Sequence, residues 1–204
     1  EHLRAALDCP SMKSGGGWVE GEGQVRAVLR AVAILERFTL AEPELNLSDI
    51  SASIGLSKST THRLLGTLQA CEMVEFDKKT GLYRLGLKAF RLGSVVSKGM
   101  ELLKQADPLL EKVAEETDES SFLLVADGNE ALCLRRFDAR NYVRVLTLEP
   151  GTHSAFNCGS AQRVLLAHLP EERWEEIVAR HVRRMTQYSL VGREELERDR
   201  REIL

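Results

Sequence analysis

The sequence predicts an α+β chain whose N-terminal part is a winged helix-turn-helix. Three observations lead there. The run Gly55-Leu56-Ser57-Lys58-Ser59-Thr60-Thr61-His62-Arg63-Leu64-Leu65 reads as a helix end, a tight turn and a second helix with one apolar and one polar, basic face. Two strand-like runs around a Lys78-Lys79-Thr80-Gly81 tip follow it. From Ser121 onward strand-like runs precede helical ones, the order expected of an antiparallel sheet with one covered face.

Taken in order, residues 1–23 have little apolar periodicity, and Ser14-Gly15-Gly16-Gly17 and Gly21-Glu22-Gly23 are flexible-linker chemistry. A flexible tail is expected, with at most a short helix over Leu3 to Leu7. Val25 to Leu40 is expected to be helical, with Val25, Val28, Leu29, Val32, Leu35, Phe38 and Thr39 as one apolar stripe and Glu42-Pro43-Glu44 as its stop. Asn46-Leu47-Ser48-Asp49 is a helix cap with a carboxylate three residues on, a variant of the capping box. That helix runs to Ile54 with Leu47, Ile50 and Ile54 inward. Gly55 supplies a left-handed C-cap and Leu56 an apolar plug for the turn.

Ser57 caps the next helix, from Lys58 to about Cys71. Its core face is Thr61, Leu64, Leu65 and Leu68; Ser59, His62, Arg63, Gly66 and Gln69 lie roughly opposite, with Lys58 and Thr60 at the leading end. Such a face on an arbitrary helix is usually just solvated. Here it coincides with a preceding short helix, a Gly turn and a following hairpin, so it reads as a recognition helix presenting its N-terminal residues to a major groove. Met73 to Asp77 and Leu82 to Leu85 form the wing, whose lysines suit phosphate contacts.

Leu85 to Met100 is helical in pattern, with Leu87, Phe90, Leu92, Val95 and Val96 apolar and Gly86, Gly93 and Gly99 weakening it. A further helix is expected from Asp107, as cap, with Pro108 at its first position, to about Glu116. Three strands follow: Ser121 to Ala126, Ala131 to Arg136, and Tyr142 to Leu148. Asp127-Gly128-Asn129 gives the first link. After Glu149-Pro150-Gly151 comes a loop, then helices at about Gly159–His168, Glu171–His181 and Arg193–Leu204.

The 204 residues leave room for one large domain or two small ones, and 43% hydrophobic and 29% charged residues are an ordinary globular balance. No apolar run approaches the ~20 residues a bilayer requires, and no basic region leads an apolar one at the N-terminus. A cytoplasmic protein with no membrane partner is expected. Cys9, Cys71, Cys133 and Cys158 have no ligand-like spacing and are expected to be reduced, with Cys71 and Cys133 as core filler. The net charge of -3 is uneven: +3 over residues 24–93 and -4 over residues 94–204. A basic segment joined to an acidic one fits a nucleic-acid-binding part with a non-binding partner domain.

The pattern resembles the IclR family of bacterial transcriptional regulators. The Gly55–Leu65 run carries the resemblance, followed by Gly81-Leu82-Tyr83-Arg84-Leu85-Gly86 and, through the linker and strands, Leu165-Leu166-Ala167-His168-Leu169-Pro170. It covers roughly Gln24 to the end. Beyond the flexible tail expected over 1–23, the resemblance implies a winged helix-turn-helix DNA-binding domain over 24–86. A linker helix over 87–106 and the first part of a GAF-like effector-binding domain over 107–204 would follow. It implies a pseudo-palindromic double-stranded DNA operator, a homodimer or dimer of dimers, and a small organic effector, often an aromatic or organic acid. No cofactor, no metal and no enzymatic activity are implied, and repression is the family's commoner role, with activation the alternative. Carried onto this chain, the DNA contacts fall on Ser57, Lys58, Ser59, Thr60, His62 and Arg63, with Lys78 and Lys79 from the wing. The effector contacts fall on Gly159, Ser160 and Ala161, where the N–H groups of a helix N-terminus could hold a carboxylate.

Two departures bear on the effector. The family usually has a His, small residues and Gly-Lys before the Leu-Leu-Ala run; here Asn157 stands for the His and Gln162 for the Gly. The chain also ends at Leu204, before the second half of such a domain, so these residues are not expected to form the full pocket alone.

An enzyme or metal site would have to use His153, Cys158 and His168 with Ser154 and Ser160. Their spacings match no common zinc pattern and no Gly-x-Ser-x-Gly elbow is present, so a pocket-lining loop and helix start is the favoured reading. A winged helix used only for protein contacts is disfavoured by the basic leading turn of the second helix.

Overall fold

The computed structural model describes residues 24–138 and 148–204. The expected tail over 1–23, Cys9, and nearly all of the expected strand Tyr142 to Leu148 lie outside these. The described chain divides into two compact units, one ending at Leu103 and the other beginning at Lys104.

The first unit runs α1 (Arg26–Leu35), β1 (Glu44–Leu45), α2 (Leu47–Ile54), α3 (Lys58–Ala70), β2 (Val74–Asp77), β3 (Leu82–Leu85) and α4 (Leu87–Gly99). Its sheet has the order β1-β3-β2, all neighbours antiparallel. The core gathers Ile34, Ile50, Leu65, Val74 and Tyr83, closed by Ala33, Phe38, Leu45, Ile54 and Leu68.

Four expectations change here. The first helix stops at Leu35, a turn earlier than Leu40, and its buried face is Ala33 and Ile34, continued by Phe38 beyond the helix end. Val25, Val28 and Val32 of the expected core stripe are exposed. Apolar periodicity marks a face that avoids water but does not say whether this chain covers it. The Glu42-Pro43-Glu44 stop leads straight into β1, which adds a third strand to the wing by pairing Glu44 with Arg84 and Leu45 with Tyr83. Cys71 is exposed, because it caps α3 beyond its last inward turn.

The turn chemistry follows the sequence closely. Asn46 Oδ1 accepts from the Ser48 and Asp49 N–H groups at 2.9 and 3.0 Å, and its Nδ2 donates to Asp49 Oδ2 at 2.7 Å. Gly55 takes φ +65°, where a side chain would be strained. The Leu56 N–H returns to Ser51 O at 3.1 Å, completing the C-cap.

The second unit holds most of α5 (Glu101–Thr117), then β4 (Ser121–Asp127), β5 (Glu130–Phe137), β6 (His153–Ser154), α6 (Ser160–Ala167), α7 (Glu171–Arg180) and α8 (Arg193–Ile203). The antiparallel sheet has the order β4-β5-β6. Ala131, Phe156, Leu166, Trp174, Ile177 and Leu196 form the core between it and the helices. The helix expected to start at Asp107 instead begins at Glu101, with Pro108 inside it. Proline removes one N–H from the ladder there. Asp107 is not a cap; it receives the Arg135 guanidinium at 3.1 Å. His153–Ser154, expected as loop, pairs with β5. Cys133 is buried, as expected.

Candidate nucleic-acid interface

Helix α3 is positioned by its own caps and by one buried face. Ser57 Oγ accepts from the Thr60 N–H at 3.3 Å and shares hydrogen bonds with the Ser59 and Thr60 hydroxyls. Thr61 and Leu65 are fully buried, Leu68 nearly so, and Leu64 is half-buried. Thr61 Oγ1 donates to Ser57 O at 3.1 Å, so the one hydroxyl turned inward is satisfied within its own turn. This leaves Lys58, Ser59, His62, Arg63, Gly66 and Gln69 exposed.

The charges on that face are uncommitted. Among the described residues no carboxylate pairs with Lys58 or Arg63, nor with Lys78 or Lys79 at the wing tip. Many arginines of the second unit behave differently: Arg135, Arg136, Arg163, Arg173, Arg183, Arg193 and Arg200 each meet an Asp or Glu.

The wing tip is shaped by Asp77, which the sequence did not single out. Its carboxylate accepts the Lys79 N–H at 2.8 Å, and its carbonyl accepts the Gly81 N–H at 2.8 Å. The Lys79 hydrogen bond, helped by Thr80, holds the Asp77 carboxyl below the usual range. The signal available in sequence was an Asp followed two residues later by a free N–H in a Gly-closed turn. Gly81, at φ +72°, completes the turn. Arg84 is taken out of play by Glu75, whose Oε2 accepts from its Nε at 3.0 Å and Nη2 at 2.8 Å. The wing's uncommitted charge is therefore at its tip.

This surface can place cations and hydroxyls along a groove, with the α3 N-terminus favouring phosphate. Ser57, Lys58, Ser59, Thr60, His62 and Arg63 lie together on the first two turns and cap of α3; Lys78 and Lys79 lie on the separate hairpin tip.

The predicted effector residues lie in the other unit. Gly159, at φ +117°, precedes α6, and Gly159, Ser160 and Ala161 are exposed. Among the described residues no acceptor meets the Ser160 and Ala161 N–H groups. The two departures from the family pattern are buried. Asn157 Nδ2 donates to Arg183 O at 2.7 Å and Leu190 O at 2.9 Å, and its Oδ1 accepts the Arg183 N–H at 3.1 Å. Gln162 folds back beneath Gly159 and donates to Ser154 Oγ at 3.1 Å. No group of three or more His, Cys, Asp or Glu side chains suited to a metal occurs among the described residues. No helix among them is long and apolar enough to cross a membrane.

Comparison with known proteins matches residues 27–78 to the IclR helix-turn-helix domain and residues 94–203 to the bacterial transcriptional regulator IclR C-terminal domain. Both families are of transcriptional regulators, not enzymes. The regulator BhcR of Paracoccus denitrificans is 33% identical over 78% of this chain and 56% of its own length. The repressor AllR of Salmonella typhimurium is 31% identical over 81% of this chain and 61% of its own. The chain thus spans under two thirds of the length of these relatives. Among solved structures, a homologue from Microbacterium hydrocarbonoxydans complexed with 4-hydroxybenzoate is 27% identical with a TM-score of 0.73, covering 84% of this chain and 71% of that one. A regulator from Silicibacter sp. TM1040 shares the fold, with a TM-score of 0.78 at 23% identity, over 87% of this chain and 70% of its own.

Proposed function

Since the chain belongs to the IclR family of bacterial transcriptional regulators, we propose that it binds a pseudo-palindromic DNA operator through α3 and the wing and answers to a small organic effector. The observation that carries this reading is the exposed, uncommitted cationic face of α3 and the wing tip. Residues 24–86 act as the DNA-binding domain, 87–106 as the linker and 107–204 as part of the effector-binding domain. Arg63 and Lys58 suit guanine edges or phosphate, Ser57, Ser59, Thr60 and His62 suit base edges or phosphate, and Lys78 and Lys79 suit phosphate.

The protein acts as a homodimer, with pairing of dimers a further step. Support comes from apolar side chains the first unit leaves uncovered: Val25, Val28 and Val32 on α1, and Leu87, Phe90, Val95 and Val96 on α4. A second copy is the occupant that a two-fold DNA site requires. For the effector, Gly159, Ser160 and Ala161 offer N–H groups to a carboxylate, the group that 4-hydroxybenzoate brings to the Microbacterium homologue's complex. Repression is the favoured sign, supported by the AllR relatives; activation is the second reading.

The test is Arg63→Ala in a titration against a duplex enriched from a randomised library on the wild-type chain. A base contact is worth about 1–3 kcal/mol per half-site. Unchanged affinity removes Arg63 from the interface.

A further inference from the structure

Gly66 sits in the interior of α3, at an ordinary helical backbone, where glycine lowers the folding equilibrium roughly fivefold relative to alanine. Nothing in the fold accounts for it. A Cβ built at Gly66 meets no atom within 4 Å, whereas one at Gly86 meets Glu72 O at 2.3 Å. Gly86 is thus explained by packing and Gly66 is not; Gly93 within α4 is equally open, but Gly66 alone of the two lies on the face that carries His62 and Arg63. Gly66 lies one turn beyond His62 and Arg63 and one turn before Gln69, at the middle of the exposed face.

From these observations we infer that Gly66 is a positioning residue at which the α3 backbone makes its closest approach to one sugar-phosphate wall of the DNA groove. This rests on the DNA-binding reading above. Seven residues at ~1.5 Å rise place Gly66 about 10 Å along the helix from Ser59. A major groove is about 12 Å wide and about 8.5 Å deep. A helix with its leading turn at the base edges and its axis inclined across the groove comes to the groove wall at about Gly66. There the missing Cβ lets the helix settle deeper, so that the side chains of the leading turns reach the bases. The contact is with the backbone of the DNA and carries no sequence information of its own.

The experiment uses the full chain and the variants Gly66→Ala and Gly66→Gln, both residues good helix formers. Unfolding midpoints are measured beside affinities for the duplex enriched on the wild-type chain and for a random duplex. The expected result is an unfolding midpoint equal to or above wild type, with affinity for both duplexes reduced, roughly tenfold for Ala and more for Gln. A purely structural role for Gly66 would not weaken binding while stability is kept. Wild-type affinity in Gly66→Ala overturns the inference and leaves the DNA-binding reading standing. So does a loss confined to the enriched duplex, which would put Gly66 against base edges. If the wild-type chain enriches no duplex, the DNA-binding reading fails and this role for Gly66 fails with it.

Discussion

Replacing both wing-tip lysines, Lys78→Ala with Lys79→Ala, isolates the electrostatic part of DNA binding. Both side chains are exposed and neither meets a carboxylate among the described residues, so their removal leaves no buried group unpaired. Stability should change by no more than about 0.5 kcal/mol. Each phosphate neutralised releases condensed counterions, and the slope of log affinity against log salt changes by about 0.9 per phosphate. Two phosphates left unneutralised by one protomer flatten the slope by about 1.8, and four left by a dimer flatten it by about 3.6. Between about 50 and about 200 mM salt, the wild-type dimer then loses about a hundredfold more affinity than the variant dimer. Fluorescence anisotropy titrations across that range read the slope directly, and its size also reports whether one or two protomers engage. An unchanged slope would refute the assignment of the wing tip to phosphate.

Two further changes test the scaffold. Asn46→Ala removes the acceptor for the Ser48 and Asp49 N–H groups and the link to Asp49 Oδ2; denaturant unfolding should lose about 1 kcal/mol, and no loss would mean that water replaces the cap fully. Asn157→Ala leaves the Arg183 N–H and the Arg183 and Leu190 carbonyls without their amide partner. The cost is about 1–3 kcal/mol for each group that stays out of water, and amide exchange over residues 183–190 should quicken; unaltered exchange there would show that Asn157 does not anchor the segment.

The helix-turn-helix was legible because its determinants are local. Asn46, Gly55 and Ser57 each act within four residues of their own position, and the inward spacing of Thr61, Leu65 and Leu68 follows from one helix. What the sequence hid depends on partners far along the chain or on none. β1 is two residues long, too short to show a period, and exists only because β3 offers an edge. The apolar stripe of α1 has the spacing of a core face, and pattern cannot distinguish a covered face from an uncovered one; Ala33 and Ile34, less conspicuous in the pattern, take the interior. Asn157 looked like a departure from a family motif, and its role emerged only from partners 26 and 33 residues away. Asp107-Pro108 read as a helix start by the usual preference for proline in a first turn, yet α5 runs through it and Asp107 is used by Arg135 on β5.

The same distinction between pattern and pairing changes how the charge of the chain is understood. Net charges of +3 over residues 24–93 and -4 over residues 94–204 suggest a weak asymmetry. Net charge is nevertheless a poor guide to what a phosphate meets. An arginine held against a carboxylate, as Arg84 is by Glu75 or Arg163 by Asp199, contributes a short dipole whose field fades within a few ångströms. An unpaired cation on an exposed helix or turn acts out to the screening length of about 8 Å at physiological salt. Lys58, Arg63, Lys78 and Lys79 are of the second kind, and the acidic residues of their unit include Glu75, which is committed to Arg84, and Asp77, which is committed to its own turn. The slope of affinity with salt should accordingly follow the number of uncommitted cations at the interface, and replacing Glu75, which would free Arg84 on the wing, should steepen it even though no residue facing the groove has been changed.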